Sequence, residues 1–264
     1  MGSGVREGSV RSRTGGRPSG RGDLAVRAAA KSLRFCEDWR FNVITMTDTA
    51  SHSLAKRRSE ILTERAKAAT PAPCLVAVSK TQPDEKIEAM LDAGQRVFGE
   101  NRVQEAQAHW ADRRAKFPDL ELRLIGPLQT NKAEDAVALF DVIETLDREK
   151  LARALGKAIE KVGRAPRVFI QVNTGEEPQK AGVLPDGLAH LLNISVDECD
   201  LDVQGLMCIP PVDEPAGPHF ALLAKLANHH GLKSLSMGMS SDYALAAQFG
   251  ATHVRVGTAL FGAR

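Results

Sequence analysis

Residues 234–262, SLSMGMSSDYALAAQFGATHVRVGTALFG, show the pattern of a strand, a helix and a second strand. Two short apolar runs, 234–237 and 253–256, flank a segment with helical spacing at 242–249. Strands joined in this way pair in parallel through a right-handed crossover, and the helix covers one face of the sheet. The stretch therefore predicts a parallel sheet with helices packed on it.

The same alternation runs through the chain from about residue 53. A lead-in helix is predicted over 52–68, and eight apolar runs follow as candidate strands: 75–78, 96–98, 122–125, 141–143, 168–172, 201–206, 234–237 and 253–256. Helical spacing between them appears, for example, at 101–117, 132–139, 147–162 and 218–229. An open doubly wound sheet has similar local patterns, but the strand count favours a closed barrel. We predict an α/β fold, a single (β/α)₈ barrel of the TIM type with an extra N-terminal helix.

Three residues are predicted to mark helix ends. Asp147 and Asp242 stand where two helices begin, as caps or first-turn acids, and Gly163 stands where a helix ends. The four cysteines, in contrast, are scattered without metal-ligand spacing: Cys36, Cys74, Cys199 and Cys208. Cys74 opens a predicted strand and Cys208 closes one, so we interpret them as buried free thiols. Such thiols are typical of a reducing cytoplasm.

The composition argues against a membrane-spanning protein and against a nucleic-acid-binding protein. Hydrophobic residues make up 43% of the 264 residues, and no apolar run approaches the length of a membrane span. Residues 1–45 hold nine basic and four acidic residues, whereas 46–264 hold 26 basic and 29 acidic ones. Because residues 46–264 are mildly acidic overall, they do not show the excess of basic residues that is typical of nucleic-acid-binding domains. We divide the chain into a basic extension, 1–45, and a barrel, 46–264, and expect neither nucleic acid nor a membrane as partner.

The extension at 1–45 is rich in Gly, Ser and Arg and lacks periodicity, so we expect it to be disordered. It has no apolar segment of the kind found in secretory signals. An Arg/Ser-rich transit peptide is one interpretation, which its four acidic residues weaken. We favour a start assigned too far upstream, with Met46 as the natural beginning.

Chemistry in a parallel barrel is expected where strands end at their carboxyl side. Lys80 follows the apolar run CLVAVS, so its side chain is expected at the barrel mouth. A lysine against an apolar wall can act as an amine nucleophile towards an aldehyde. An ordinary surface lysine at a loop start is the alternative, and position alone leaves the two about even.

The loops after the last two strands indicate an anion site. Ser240 and Ser241 precede a helix, where hydroxyls, amides and the helix dipole favour negative charge. Gly257 permits close backbone approach, and Thr258 adds a hydroxyl and an N–H. In these barrels the same two loops often bind phosphate. Plain turn chemistry is the alternative, but two such patterns on neighbouring strands favour an anion.

Other polar residues give weaker indications. Asn101 is either a site residue or a helix cap. For Gln129, Asn131 and Lys132, a role at the site and an ordinary structural or surface position are equally open. The histidines fall mostly in helices and are interpreted as surface or core residues, so no metal site is predicted. We find no His–carboxylate dyad and no phosphate-binding glycine loop of the Walker or Rossmann type.

Six segments closely resemble the pyridoxal phosphate homeostasis proteins, which are relatives of the barrel domain of alanine racemase. They are AVSKTQP (77–83), FGENRVQEA (98–106), IGPLQTNK (125–132), GLMCIPP (205–211), LSMGMSSDYALA (235–246) and VRVGTALFG (254–262). Together they span nearly all of 50–264, in order and with plausible spacing. The set is specific, although no single motif is.

The resemblance implies a site for pyridoxal 5′-phosphate (PLP). Lys80 would form the internal aldimine, and Ser240, Gly257 and Thr258 would contact the phosphate, with Met239 and Ser241 nearby. Arg255 would face the pyridine nitrogen, and Asn101 would lie near the ring. One departure is Arg123, where the family often has His; we expect it to tune packing or form a local ion pair without abolishing cofactor binding.

The leading hypothesis is a carrier that binds PLP reversibly, passes it to apo-enzymes and has no catalytic residues of its own. We expect it to be a monomer in the cytoplasm. A permanent charge at Arg255 disfavours pyridine protonation and so weakens the ring as an electron sink. Tyr243, the only tyrosine, looks structural, which makes a two-base racemase hard to assemble. A weak amino-acid racemase remains the second hypothesis. An aldolase using Lys80 on a sugar phosphate is the third, and the acidic and second-lysine partners usual in such barrels are missing.

Overall fold

The computed structural model describes residues 51–262, and the predictions for 1–45 and for Met46 lie outside the described residues. Within that range eight parallel strands form a closed barrel in chain order. They are β1 (Cys74–Val78), β2 (Val97–Glu100), β3 (Glu121–Leu124), β4 (Val142–Leu146), β5 (Arg167–Gln171), β6 (Val203–Met207), β7 (Ser234–Ser236) and β8 (His253–Val256). The predicted closed barrel is confirmed.

Helices surround the strands. The lead-in helix α1 covers 51–68. It is followed by α2 (Asp84–Asp92), α3 (Val103–Lys116), α4 (Ala133–Leu139), α5 (Glu149–Val162), α6 (Leu188–Asn193), α7 (Ala216–His229), α8 (Tyr243–Gln248) and α9 (Thr258–Phe261). None of the helices within 51–262 combines the length and apolar character needed to cross a bilayer.

Closure depends on the pairing of β1 with β8, which runs in register from Cys74 opposite His253 to Ala77 opposite Val256. The apolar core lies mainly between the strands and the helices, where Phe98 packs against Trp110 at 4.6 Å between ring centroids. Because successive strand residues point to opposite faces, every second residue points into the barrel instead.

The inside of the barrel is partly charged. Arg123, Glu144 and Ser236 are fully buried there, and the guanidinium of Arg123 lies 5.2 Å from the centroid of the Phe169 ring. Arg123 forms ion pairs with Glu144 and with the half-buried Glu121. The ion pair predicted for Arg123 is therefore confirmed.

Two predicted helix starts need correction. The residue preceding α5 is Arg148, and Asp147 pairs with the Arg148 side chain instead of capping the helix. Asp242 does precede α8, but its carboxylate accepts the backbone N–H of Met239 at 2.6 Å and caps no helical amide. Gly163 ends α5 as predicted, with a left-handed φ of 71°.

Within 51–262 the three cysteines are free thiols. Cys208 is fully buried, and burial raises its pKa to about 12. Cys74 and Cys199 are only half-buried, so the prediction of a buried thiol holds for Cys208 and in part for Cys74.

Candidate functional site

A cavity of about 320 Å³ opens at the carboxyl ends of the strands, within the size range of small-molecule sites. Its wall contains all eight residues expected at the site: Lys80, Asn101, Met239, Ser240, Ser241, Arg255, Gly257 and Thr258. Val78, Ile125 and Ile209 complete the wall with apolar surface. The chain thus brings the predicted lysine and the two predicted anion-binding loops into one cavity.

Lys80 is held by its neighbours on both sides. Ser79 is fully buried, and its hydroxyl donates to Glu100 Oε1 at 2.7 Å. Thr81 adopts a φ of 58°, which is unfavourable for a β-branched residue, and its N–H donates to the carboxylate of Glu105. These contacts of Ser79 and Thr81 hold the backbone on both sides of Lys80 in a strained turn, so the backbone from which the Lys80 side chain projects has one conformation.

Glu100 anchors this corner of the barrel. Its Oε1 accepts hydrogen bonds from Ser79 and from the indole N–H of Trp110 at 3.0 Å, and it lies 3.2 Å from His109 Nδ1. Its other oxygen, Oε2, is buried without a hydrogen-bond partner among residues 51–262. The expectation of no His–carboxylate dyad is therefore wrong, because residues nine positions apart meet when α3 folds back on β2.

Asn101 follows β2 and is positioned by a glycine on the next loop. A Cβ at Gly126 would lie 2.3 Å from the carbonyl oxygen of Asn101 and 2.7 Å from its Cα. The loop after β3 can therefore approach Asn101 only because residue 126 has no side chain. Gly126 packs the Asn101 backbone into the cavity wall.

The two loops that are predicted to bind an anion contact each other through Ser240. Its Oγ accepts the backbone N–H groups of Gly257 and Ala259, each at 3.3 Å. The N–H groups of Ser241 and Thr258 have no acceptor among residues 51–262. Hydroxyls and free amides from both loops therefore converge on one end of the cavity, an arrangement that suits an anion.

The glycine that shapes this loop is Gly238, which sequence analysis did not single out. It has a φ of 91°, and a Cβ there would lie 2.5 Å from Cβ of Ala246. At Gly257, in contrast, a Cβ would make ordinary contact with Val78 at 3.4 Å. Gly238 is thus required by the fold, whereas the fold itself leaves room for a Cβ at residue 257.

Arg255 projects from β8 and is 4% exposed. Its Nη1 donates to Ser236 Oγ and its Nη2 to the carbonyl oxygen of Cys208, both at 2.8 Å. The hydroxyl of Ser236 donates in turn to Glu144 Oε2 at 2.6 Å. Ser236 of β7 and the residue directly after β6 therefore hold the guanidinium at the base of the cavity.

Two weaker candidates lie beside this cavity. Gln129 and Lys132 line a second cavity of about 640 Å³, whose wall shares Asn101 with the first. Lys132 Nζ lies 3.3 Å from the carboxylate of Asp135. Asn131 is exposed and lines neither of the two cavities.

The residues present are complementary to a small aromatic aldehyde that carries a phosphate. Lys80 supplies a primary amine, Ser240 and Thr258 supply hydroxyls for an anion, and Arg255 supplies a fixed cation deeper in the cavity. The apolar side chains of Val78, Ile125 and Ile209 suit the faces of a ring.

Fold and site together define a class of protein: a parallel (β/α)₈ barrel in which a lysine and two loops with hydroxyl and N–H groups line one cavity at the carboxyl ends of the strands. The family model for the N-terminal domain of alanine racemase matches residues 54–264. The chain belongs to the family of pyridoxal phosphate homeostasis proteins within that group, as its relatives show, and the resemblance of its motifs is thereby confirmed.

The pyridoxal phosphate homeostasis protein of Pasteurella multocida is 38% identical over 228 residues, which are 82% of this chain and 98% of that protein. The protein of the same name from Aquifex aeolicus is 40% identical over 199 residues, 72% of this chain and 86% of that protein. The structure of PipY from Synechococcus elongatus PCC7942 with PLP bound has a TM-score of 0.70 at 39% identity, and it covers 79% of this chain and 100% of PipY.

Proposed function

We propose that this protein binds PLP reversibly on Lys80 and releases it to other proteins. One observation carries the proposal: the Lys80 amine and the anion-binding loops share a cavity of suitable size and chemistry. The PLP-bound structure of PipY, at 39% identity, supports this choice of ligand.

Each end of the cavity has a distinct role in the proposal. Ser240, Ser241, Gly257 and Thr258 bind the phosphate through hydroxyls and backbone N–H groups. Arg255 would face the pyridine nitrogen, Asn101 would lie near the ring, and Met239 would lie near the phosphate. The fixed positive charge of Arg255 disfavours a proton on that nitrogen.

Attachment is a condensation. Lys80 would supply the amine that condenses with the aldehyde of PLP, so that a C=N bond replaces the C=O bond and one water is released. Release is the reverse reaction, or exchange with another primary amine. Lys80 is half-buried while Ser241 and Thr258 are exposed, so the rim of the cavity is open to an incoming amine. An accessible linkage suits a carrier.

A carrier is favoured over a racemase by the position of Tyr243. Its hydroxyl donates to Glu64 of α1, and burial together with that carboxylate raises the pKa of Tyr243 to about 12. Tyr243 is absent from the cavity wall, so it is not available there as a proton acceptor. The relatives are likewise named homeostasis proteins.

Substitution of Lys80 tests the proposal directly. Wild-type protein incubated with PLP and then desalted is expected to be yellow, whereas Lys80→Ala is expected to lose the visible band because the amine is gone. Absorption spectroscopy measures this. Lys132→Ala is the matched control, since it removes a lysine from the neighbouring cavity. A Lys80→Ala protein with the wild-type band would contradict the assignment.

Loss of α-deuterium from labelled amino acids separates carrier from enzyme. The carrier proposal predicts exchange no faster with the PLP-loaded protein than with free PLP at the same concentration. Rapid exchange that depends on Lys80 would favour the racemase hypothesis instead.

The proposal includes a monomer located in the cytoplasm, with apo-PLP enzymes as the receiving partners. Three free cysteines within 51–262 support a reducing compartment. Light scattering of the PLP-loaded chain tests the monomer, and transfer of PLP to an added apo-enzyme, measured as regained activity, tests the partners.

A further inference from the structure

We infer that Arg123, Glu144 and Ser236 form a buried relay that positions Arg255 at the base of the cavity. The inference rests on the proposed function, because it concerns how the chain presents Arg255 to the PLP ring. Arg123 and Glu144 act as positioning residues, since they act through Ser236 and line neither of the two cavities at the barrel mouth.

The relay is continuous and closed to water. Arg123 Nε donates to Glu144 Oε1 at 2.5 Å, and Ser236 donates to Glu144 Oε2 at 2.6 Å. Ser236 Oγ then accepts Arg255 Nη1 at 2.8 Å. Arg123, Glu144 and Ser236 are each 0% exposed, so no solvent competes for these hydrogen bonds.

The charged residues of the relay stabilise one another. Burial opposes ionisation of Glu144, but the charges of Arg123 and Arg255 outweigh it and hold the pKa of Glu144 below its usual value. Without this carboxylate, Arg123 would keep only its ion pair with Glu121, and the buried guanidinium of Arg255 would lose a nearby negative charge. Arg123 in turn keeps Glu144 from moving fully onto Arg255, because it binds one of the two carboxylate oxygens.

Ser236 gives the relay its direction. A hydroxyl has one proton to donate, and here that proton is committed to Glu144. Its lone pair is therefore aimed at Arg255, which also donates to the Cys208 carbonyl at 2.8 Å. These two acceptors, one on β7 and one directly after β6, determine where the guanidinium points.

Ser236→Ala breaks the relay while leaving the Arg123–Glu144 pair intact. Ser195→Ala is the matched control: Ser195 is also 0% exposed, and its hydroxyl donates to the Leu191 carbonyl at 2.6 Å, away from the cavity. Ser236→Ala loses two buried hydrogen bonds, both to charged groups, and Ser195→Ala loses one. In thermal unfolding of the apo-proteins, Ser236→Ala is therefore expected to lose more stability than Ser195→Ala, and the comparison that decides the proposal is PLP binding.

PLP binding distinguishes the two variants. Ser236→Ala is expected to bind PLP roughly threefold to tenfold more weakly than wild type, with altered visible circular dichroism of the bound chromophore. Ser195→Ala is expected to match wild type in both. Wild-type affinity and wild-type circular dichroism in Ser236→Ala would overturn the relay.

Glu144→Gln carries the test if Ser236→Ala does not fold. It keeps the size of the side chain and removes its charge, and the same weakening of PLP binding is expected; unchanged affinity and an unchanged spectrum would overturn the relay. A wild-type protein that binds no PLP refutes the proposed function itself, which separates that failure from a failure of the relay.

Discussion

At the scale of single residues, His253 shows how the charged interior affects stability. It begins β8, with its ring 5.7 Å from Phe169 between centroids and its Nδ1 2.8 Å from Thr252 Oγ1. Burial, reinforced by the positive charge of Arg123, lowers the pKa of His253 to about 4. The folded protein therefore keeps this residue neutral at pH values at which an exposed histidine is charged.

The low pKa of His253 predicts a loss of stability in mild acid. Its unfolded pKa is about 6.5, so below that pH the unfolded chain binds a proton that the folded protein does not. The neutral folded histidine therefore costs no stability well above about pH 6.5, and stability is lost as the pH falls from there towards the folded pKa. Between about pH 7 and pH 5 this loss lowers the free energy of unfolding by roughly 2 kcal/mol. Urea unfolding at each pH is expected to show a smaller loss for His253→Asn. Equal losses in the two proteins would contradict the prediction.

Some residues of the site could be predicted from the sequence, and others could not. Lys80 and Ser240 could be predicted because each directly follows a strand, and strand ends meet at one edge of a barrel. Gly238 and Glu100 were missed as structural determinants. The need for glycine at 238 comes from contact with α8, and the role of Glu100 comes from partners on β1 and α3, which no local pattern reveals.

At the scale of elements, the loop between β7 and α8 depends on Gly238. Its positive φ is combined with close packing against Ala246. Gly250, at the other end of α8, has a similar φ of 88°, but a Cβ added there would have no neighbouring atom within 4 Å. Substituting each glycine therefore distinguishes the cost of backbone strain, which both positions share, from the cost of a steric clash, which only Gly238 has.

Alanine at these two glycines should have unequal effects. Gly250→Ala is expected to lower the free energy of unfolding by about 1 kcal/mol through backbone strain alone. Gly238→Ala adds a clash and is expected to lower it by roughly 3 kcal/mol, and also to weaken PLP binding. Denaturant unfolding and PLP titration measure both. Equal destabilisation, with PLP binding unchanged, would refute this account of the loop.

The predicted strand positions were close because buried parallel strands are short apolar runs. The largest error is in β4, predicted to end at residue 143 and observed to continue to Leu146. The continuation contains Glu144, a charged residue that points into the barrel and meets Arg123. A prediction based on apolar runs ends β4 too early, because the strand continues through a polar residue that faces the barrel interior.

At the scale of the whole molecule, the barrel closes within the described residues, since β8 pairs with β1. We propose that residues 46–264 suffice for folding and PLP binding. A chain starting at Met46 is expected to match the full chain in thermal unfolding and in PLP affinity, because the cavity wall lies entirely within 78–258. A shorter chain that fails to fold or to bind would contradict this division.

The central claim is that the Lys80 amine holds PLP while the loops after β7 and β8 bind its phosphate. Borohydride reduction of the PLP-loaded full chain, followed by peptide mass spectrometry, tests it most directly, because hydride converts the reversible C=N bond into a stable C–N single bond. We predict that the phosphopyridoxyl group is found on Lys80. A group found on Lys132 instead, with Lys80 unmodified, would contradict the account.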